Sequence, residues 1–505
     1  MKTTRLITFG ALSLILAINS ANAQQLILDN SFSDDGIQTS SLAPLDCYVE
    51  SIAIQTDGKP IIAGWTYDPT NTDFVVARYN IDGTPDITWG GDGIVTTDFN
   101  SSFDQAQAVK IQDDGKVVLV GFSDSSFAIA RYNVDGSLDN SFNLTGKKVS
   151  NLGVSAAFAY SAAIQPDGKI IAVGFAIYGN VNMAIARFTT SGELDASFSG
   201  DGVQLTDYTI GEDKFWDVVV QPDNKILAVG HTADLADINF AAVRYNPDGS
   251  LDNTFGSDGR MSDYFLEGDA KCYSVALDAD NNIYLGGSVD GKFALERLTP
   301  NGEPDYTFGT WAQVVTSIGY SIKSILVRDD KIYVAGSKSS KNCIARFNNT
   351  GETDLTFDDD GYELSDLSAG SGIVDMKFNV DGDIITASAS SIDLLGVLTI
   401  TKYTYGVDVP VNINASSSPQ FTAIVYPTII SEKFNVSLEL SSPSIINISL
   451  FDVFGHQVEN FIYNLKCNSG INNFTISIND LLQDGVYYVT ISTPEFKKIV
   501  TVINI

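Results

Sequence analysis

Seven basic residues recur at one position of this sequence: Arg78, Arg131, Arg187, Arg244, Arg297, Arg346 and Lys402. Cations repeated in this way can do one of two things. Facing a common axis, they would ring a channel and hold an anion. Facing a repeated acid, they would tie neighbouring strands by charge-assisted hydrogen bonds. The acid required for the second arrangement is present. A motif of the form Leu-Asp-x-Ser/Thr-Phe, with small variations, places Asp29, Asp86, Asp139, Asp195, Asp252, Asp305 and Asp354 at one position. The pairing reading is therefore preferred to the anion ring.

Other chemistry is sparse. A Ser-His-Asp arrangement needs a histidine, and there are two. His231 is read at the start of a loop in the fourth repeat, and His456 in a turn beside Gly455; neither is placed as a base. Paired carboxylates for glycoside cleavage should break the repeat, whereas most acids here obey it. No catalytic residue, cofactor or metal ligand is assigned, and the chain reads as non-enzymatic. Calcium is a weaker alternative, since Asp34-Asp35-Gly36 and Asp358-Asp359-Asp360-Gly361 offer hard oxygen ligands; turn formation accounts for both runs. Cys47, Cys272, Cys343 and Cys467 stand singly, without zinc or disulfide spacing. Ligand contacts are expected on segments the repeat does not dictate: 65–73, 176–182 and 231–239. Trp65, Tyr67, Tyr178 and His231 are the weak candidates within them.

These residues must be positioned by a repeated unit. The turn Gln-x-Asp-Gly-Lys occurs at Gln55–Lys59, Gln112–Lys116 and Gln165–Lys169, with degenerate copies at Asp223, Asp280, Asp329 and Asp381. The mean spacing from Asp57 to Asp381, over six intervals, is 54 residues. Each unit reads as four short strands; in the second these are 93–97, 107–112, 116–122 and 127–133, with Asp114-Gly115 supplying a tight hairpin. The Leu-Asp motif is offset. Its first copy, Leu28–Phe32, precedes the first full unit, and no copy of it follows the last basic position at Lys402. In a ring, the first segment would complete the last unit and remove two exposed sheet edges. The predicted fold class is all-β: a seven-bladed β-propeller closed by the N-terminal segment, followed by a small C-terminal β-sandwich. An open β-solenoid is the alternative.

The combination of Asp-Gly-Lys, Ala-Arg-Tyr-Asn-x-Asp-Gly-Ser-Leu-Asp and Ser-Phe-Gly-x-Asp-Gly resembles the delta-60 family of propeller-type bacterial repeats, over about 28–405. That resemblance implies an extracellular scaffold or binding repeat with no shared catalytic chemistry. Units five to seven lose parts of the signature, including the Lys of Asp-Gly-Lys. After a linker over 406–422, alternating strands at 434–440, 445–451, 473–478, 486–492 and 498–503 suggest a sandwich over 423–505. Tyr426-Pro427, Lys433-Phe434, Asp452 with Gly455, Gly485-Val486-Tyr487-Tyr488 and Lys497–Val500 resemble a type A sorting domain of the type IX secretion system. The resemblance implies recognition by that secretion machinery; an adhesive sandwich is the alternative.

Composition agrees. There are 62 Asp+Glu against 30 Lys+Arg, a formal net charge of -32, which repels nucleic acid and anionic membranes. Lys2 and Arg5, the apolar run 6–18 and Ala21-Asn22-Ala23 read as a signal peptide over 1–23, leaving a repeat array over 24–405. Membrane insertion is not expected, and the location is secreted or on the outer cell surface by way of the periplasm. The functional expectation is a binding or scaffold protein for an extracellular glycan or protein. The alternative is a secreted polysaccharide hydrolase or lyase on the same fold.

Overall fold

The computed structural model describes residues 25–100, 103–233, 237–358, 360–365, 372–392, 395–406, 421–426, 429–430, 433–440, 442–451, 457–477, 485–493 and 497–504. The expected signal peptide and His456 lie outside them. The described chain is all-β and divides into two compact units, 1–408 and 409–505.

The first unit holds seven antiparallel sheets in chain order. Sheet 4 is representative: an inner strand Asp213–Val220, then Ile226–Ala233, Ile238–Tyr245 and a short outer strand Arg260–Asp263. Inner strands of successive sheets pack against each other, and that of sheet 7 (Ile373–Phe378) also packs against that of sheet 1 (Asp46–Ile54). The sheets thus form a closed ring. The second and third strands lie between neighbouring sheets and are apolar on both faces. Val117, Val118, Leu119 and Val120 are all fully buried in this way.

One boundary differs from the sequence reading. The segment 93–97, expected to open the second unit, is the outer strand of sheet 1 (Ile94–Thr97) and pairs with Phe74–Ala77. The outer strand of sheet 2 is instead Lys147–Ser150. Hydrophobic alternation identifies a strand but not its sheet, because the outer strand returns only after the turn that carries the Leu-Asp motif. The same offset leaves sheet 7 without an outer strand of its own. Ile37–Ser40 and Gln25–Leu28 from the N-terminus both pair with its third strand, Leu395–Gly406.

The repeated cations do not ring an axis. Each arginine meets the acid eight residues on: Arg131 Nε lies 2.8 Å from Asp139, Arg187 Nε 2.7 Å from Asp195 and Arg244 Nε 2.7 Å from Asp252. Arg78–Asp86, Arg297–Asp305 and Arg346–Asp354 repeat the pair. The guanidinium also covers the motif's aromatic ring, as Arg131 does Phe142 at 4.7 Å. Its remaining donor reaches the next sheet, from Arg131 Nη1 to the Thr190 carbonyl at 2.7 Å. The lysine of the Asp-Gly-Lys turn adds a second cation, Lys59 to Asp86 at 2.7 Å. The expected loss of this lysine from the sixth unit is corrected: Lys331 holds Asp354 at 2.8 Å, because the Asp329-Asp330-Lys331 turn retains the cation although its glycine is gone. In sheet 7 the turn lysine is replaced by an acid. Asp383 occupies the turn position, and Lys402 bridges Asp383 (3.1 Å) and Asp29 (2.7 Å) across the ring closure.

The second unit holds a sheet of three strands (Phe421–Tyr426, Lys433–Leu440, Gly470–Ser477) and one of five. Three strands were absent from the sequence reading, among them the two-residue Ile429–Ile430. Phe421–Tyr426 straddles the boundary of the expected linker, and Gln457–Cys467 pairs through repeated register shifts that blur its alternation. The four cysteines are free and buried, as small apolar side chains.

Burial alone would raise the pKa of Asp139, but hydrogen bonds from Ser141 and the charges of Arg131 and Lys116 overcome it and hold the carboxyl at about 2. A depressed folded-state pKa stabilises above the ordinary aspartate value near 3.8 and loses that contribution as pH falls toward 2. Arg131→Met, which strands a buried carboxylate, should cost about 3 kcal/mol. Thermal melts at pH 7 and pH 2.5 should show the deficit at neutral pH and its shrinkage in acid; an equal deficit at both would contradict the assignment.

Candidate functional site

Every inner strand contains one β-bulge, at one register. Pairing with the second strand skips a residue between Val49 and Ser51, Ala106 and Ala108, Ala159 and Ser161, Phe215 and Asp217, Cys272 and Ser274, Ile322 and Ser324, and Ile373 and Asp375. The extra residues are Glu50, Gln107, Tyr160, Trp216, Tyr273, Lys323 and Val374. A bulge bends its strand and re-aims a side chain. Here all seven line one cavity of about 810 Å³ on the axis of the ring. In sheets 1 to 6 a second-strand glycine faces the residue before the bulge and leaves room for it, whereas sheet 7 has Ser388 there. At Gly64 a Cβ would lie 1.8 Å from the Tyr48 carbonyl oxygen, and at Gly230 1.9 Å from that of Lys214. The bulge lies toward the end of the ring where second and third strands turn over, as at 178–180. The Arg–Asp pairs lie at the other end and contribute nothing to the cavity.

The residue after the bulge ties sheets together wherever it is polar, in every sheet but the second, which has Ala108. Asp375 accepts hydrogen bonds from Ser324 Oγ (3.0 Å) and from Ser51 Oγ (3.2 Å) and the Ile52 amide (3.0 Å) on two flanking sheets. Asp217 accepts from Ser161 Oγ (2.8 Å) and the Val275 amide (3.0 Å). These carboxylates are committed to structure.

At the mouth the bulge residues form a half-buried aromatic group. Trp216 sits 4.4 Å from Tyr160 and 5.5 Å from Tyr273, centroid to centroid, and Lys323 Nζ lies 3.9 Å over the Tyr273 ring. Trp216 Nε1 donates to His231 Nδ1 at 2.9 Å. Burial, with the charges of Lys271 and Lys214, drives the His231 pKa down to about 4, so the imidazole is a neutral acceptor at pH 7. Burial pushes the phenols of Tyr160 and Tyr273 upward and the Lys323 amine downward.

The structure separates the sequence candidates. His231 is no loop residue; it lies within the second strand of sheet 4, buried, because that strand continues through Ala233. Trp65 also lies within a strand, stacked on Tyr48 at 4.2 Å and donating to Glu50 at 3.1 Å, so it props a cavity residue from behind. Tyr67 and Tyr178 are exposed at hairpin ends and line no part of the cavity. Among the described residues the carboxylates that gather closely enough to hold a metal ion are Asp73, Asp98 and Asp104. They are not those of the acidic runs proposed for calcium, of which Asp359 lies outside the described residues. Asp35 instead caps its turn, accepting from the Ile37 amide at 2.9 Å.

Sequence reasoning missed the bulge ring because it equated irregularity with loops. Two signals were available: a recurrent glycine in an otherwise β-branched second strand, and an inner-strand position whose residue type changes in every repeat.

Comparison with known families gives two matches. Six segments, 55–88, 112–142, 165–198, 221–255, 279–308 and 328–357, match a domain of unknown function (DUF5122) described as a beta-propeller. No segment of sheet 7, whose turn lysine is replaced by Asp383, is among them. Residues 424–504 match the secretion system C-terminal sorting domain, which marks proteins exported by the type IX system to the cell surface or extracellular space. No curated protein matches the chain. Similar solved structures include virginiamycin B lyase from Staphylococcus aureus, at 14% identity, TM-score 0.43, covering 72% of this chain and 98% of that one. Another is the polysaccharide lyase Uly1, at 10% identity, TM-score 0.41, covering 77% and 98%. A third is Sqt1 from Chaetomium thermophilum, at 14% identity, TM-score 0.41, covering 70% and 82%. Likeness at this level carries no inference about activity.

Nuclear magnetic resonance titration of His231 should give a midpoint near 4, rising in Lys271→Gln as one repelling charge is removed. A midpoint at the free-histidine value near 6.5 would show that the imidazole is not buried against Trp216.

Proposed function

We propose that this chain, which carries DUF5122 beta-propeller repeats and a type IX sorting domain, is an extracellular binding protein whose ligand site is the mouth of its axial cavity. One observation carries the reading. Seven bulges at one register aim seven side chains into a common cavity, and those positions, unlike the rest of the repeat, follow no repeated pattern of residue type. A cavity of about 810 Å³ is within the size range of small-ligand sites.

Binding without turnover fits the acid–base state of the mouth. Proton transfer at neutral pH favours groups that titrate near 7. His231 titrates near 4 and is engaged by Trp216, while the tyrosines are shifted up and away from neutrality. Asp217 and Asp375 already accept several hydrogen bonds each.

The test is a panel of glycans and matrix proteins presented to the purified chain, with product analysis alongside. Binding to at least one component should fall tenfold or more in Trp216→Ala and persist in Tyr178→Ala. Appearance of cleaved product would make the protein an enzyme instead, and equal loss in both variants would move the site off the axis.

A further inference from the structure

The charges of the mouth run against those of the molecule. The chain carries about twice as many acids as bases, and its repeated arginines are consumed by the Asp motif. Yet five lysines line the axial cavity: Lys110, Lys214, Lys271, Lys323 and Lys377. Lys377 is paired with Asp375 at 2.6 Å and Lys214 with Glu212 at 2.8 Å. Among the described residues, Lys110, Lys271 and Lys323 have no carboxylate within 4 Å. Lys271 and Lys323 stand on adjacent inner strands, and the charge of Lys271 adds to the burial that pushes the Lys323 amine down. Glu50, Glu212, Asp217 and Asp375 line the same cavity, with Glu50 favouring the Lys323 charge and Asp217 and Asp375 that of Lys110. Yet five lysines against four carboxylates leave a cation in excess, a local field that selects an anion on a protein with acid to spare.

The surface between them is apolar but not greasy. Trp216 has committed its only donor to His231, so it offers the cavity hydrocarbon and ring face. Glu50 and Glu212, at the same mouth, supply acceptors. A carboxylate acceptor suits a hydroxyl and repels a second acid. A ligand that satisfies all three features carries negative charge, hydroxyl groups and an apolar ring face together. On this basis, and resting on the binding reading above, we infer that the ligand is an anionic saccharide. Its acid group meets Lys271 and Lys323, and its ring lies on the Trp216–Tyr273 side of the mouth. An acidic peptide supplies the charge without the hydroxyls; a neutral sugar leaves the lysines unanswered.

The experiment measures affinity of the full mature chain by calorimetry for four probes: tetragalacturonate, sulfated maltotetraose, maltotetraose and tetraglutamate. One or both acidic saccharides should bind, weakening as salt rises, and the two arms distinguish a carboxylate from a sulfate ligand. Lys271→Gln/Lys323→Gln should lose tenfold or more, whereas Lys292→Gln, an exposed lysine outside the cavity, should lose nothing. Both lysine changes lie at the surface of the mouth, and an unchanged melting curve separates lost recognition from lost fold. Equal binding of maltotetraose or of tetraglutamate overturns the inference. So does binding of none of the four. If the panel above still shows Trp216-dependent binding in that case, the site stands and only its ligand class was wrong.

Discussion

The buried ion pair between a third-strand cation and the Asp of the following turn is the contact on which the ring depends. A lone carboxylate in that position would be costly to bury. Here each Asp receives a basic side chain and a Ser or Thr hydroxyl, as Asp139 does from Arg131 and Ser141. Because the guanidinium also reaches a carbonyl of the next sheet, the pair is at once an intra-sheet cap and an inter-sheet tie. The aromatic ring under it packs against a turn glycine of the neighbour: a Cβ at Gly136 would lie 2.9 Å from Trp89. The unit therefore specifies its own contact with the next copy. Lys402 with Asp29 carries the same contact across the two ends of the chain.

Once the sheets are held at that end, the opposite end is free to vary. The bulges, six of them opposite a second-strand glycine and that of sheet 7 opposite Ser388, fix where seven side chains point without fixing what they are. Regularity and specificity are thus separated along each strand, with the repeat kept at the Asp-Gly-Lys turn and abandoned at the bulge. Asp217 and Asp375 show the boundary between the two roles, since they sit one residue past a bulge yet serve as hydrogen-bond hubs between sheets.

Much of this was legible from residues alone. The seven Asp and seven basic positions could be paired before any coordinates, because equal spacing at opposite charge leaves few alternatives. The offset of Leu28–Phe32 pointed to closure, and Asp29 lies beside Lys402. Sheet membership of the outer strand was misread, since 93–97 looks the same whichever sheet it joins. The site was read only in part. His231 and Trp65 were chosen as loop residues and proved to be strand residues in or behind the cavity. Trp216, Tyr160, Tyr273 and Lys323 were passed over, because a bulge is a change of backbone register that side-chain alternation does not announce.

The central claim is that the repeat builds the ring and the bulge residues do not. Scanning calorimetry of the chain bearing Tyr160→Ala, Trp216→Ala, Tyr273→Ala and Lys323→Gln tests it most directly. The account predicts one cooperative transition for the ring, within a few degrees of the unaltered chain. A broadened transition, or loss of the folded ring, would show that the axial cluster holds the sheets together and would contradict the account.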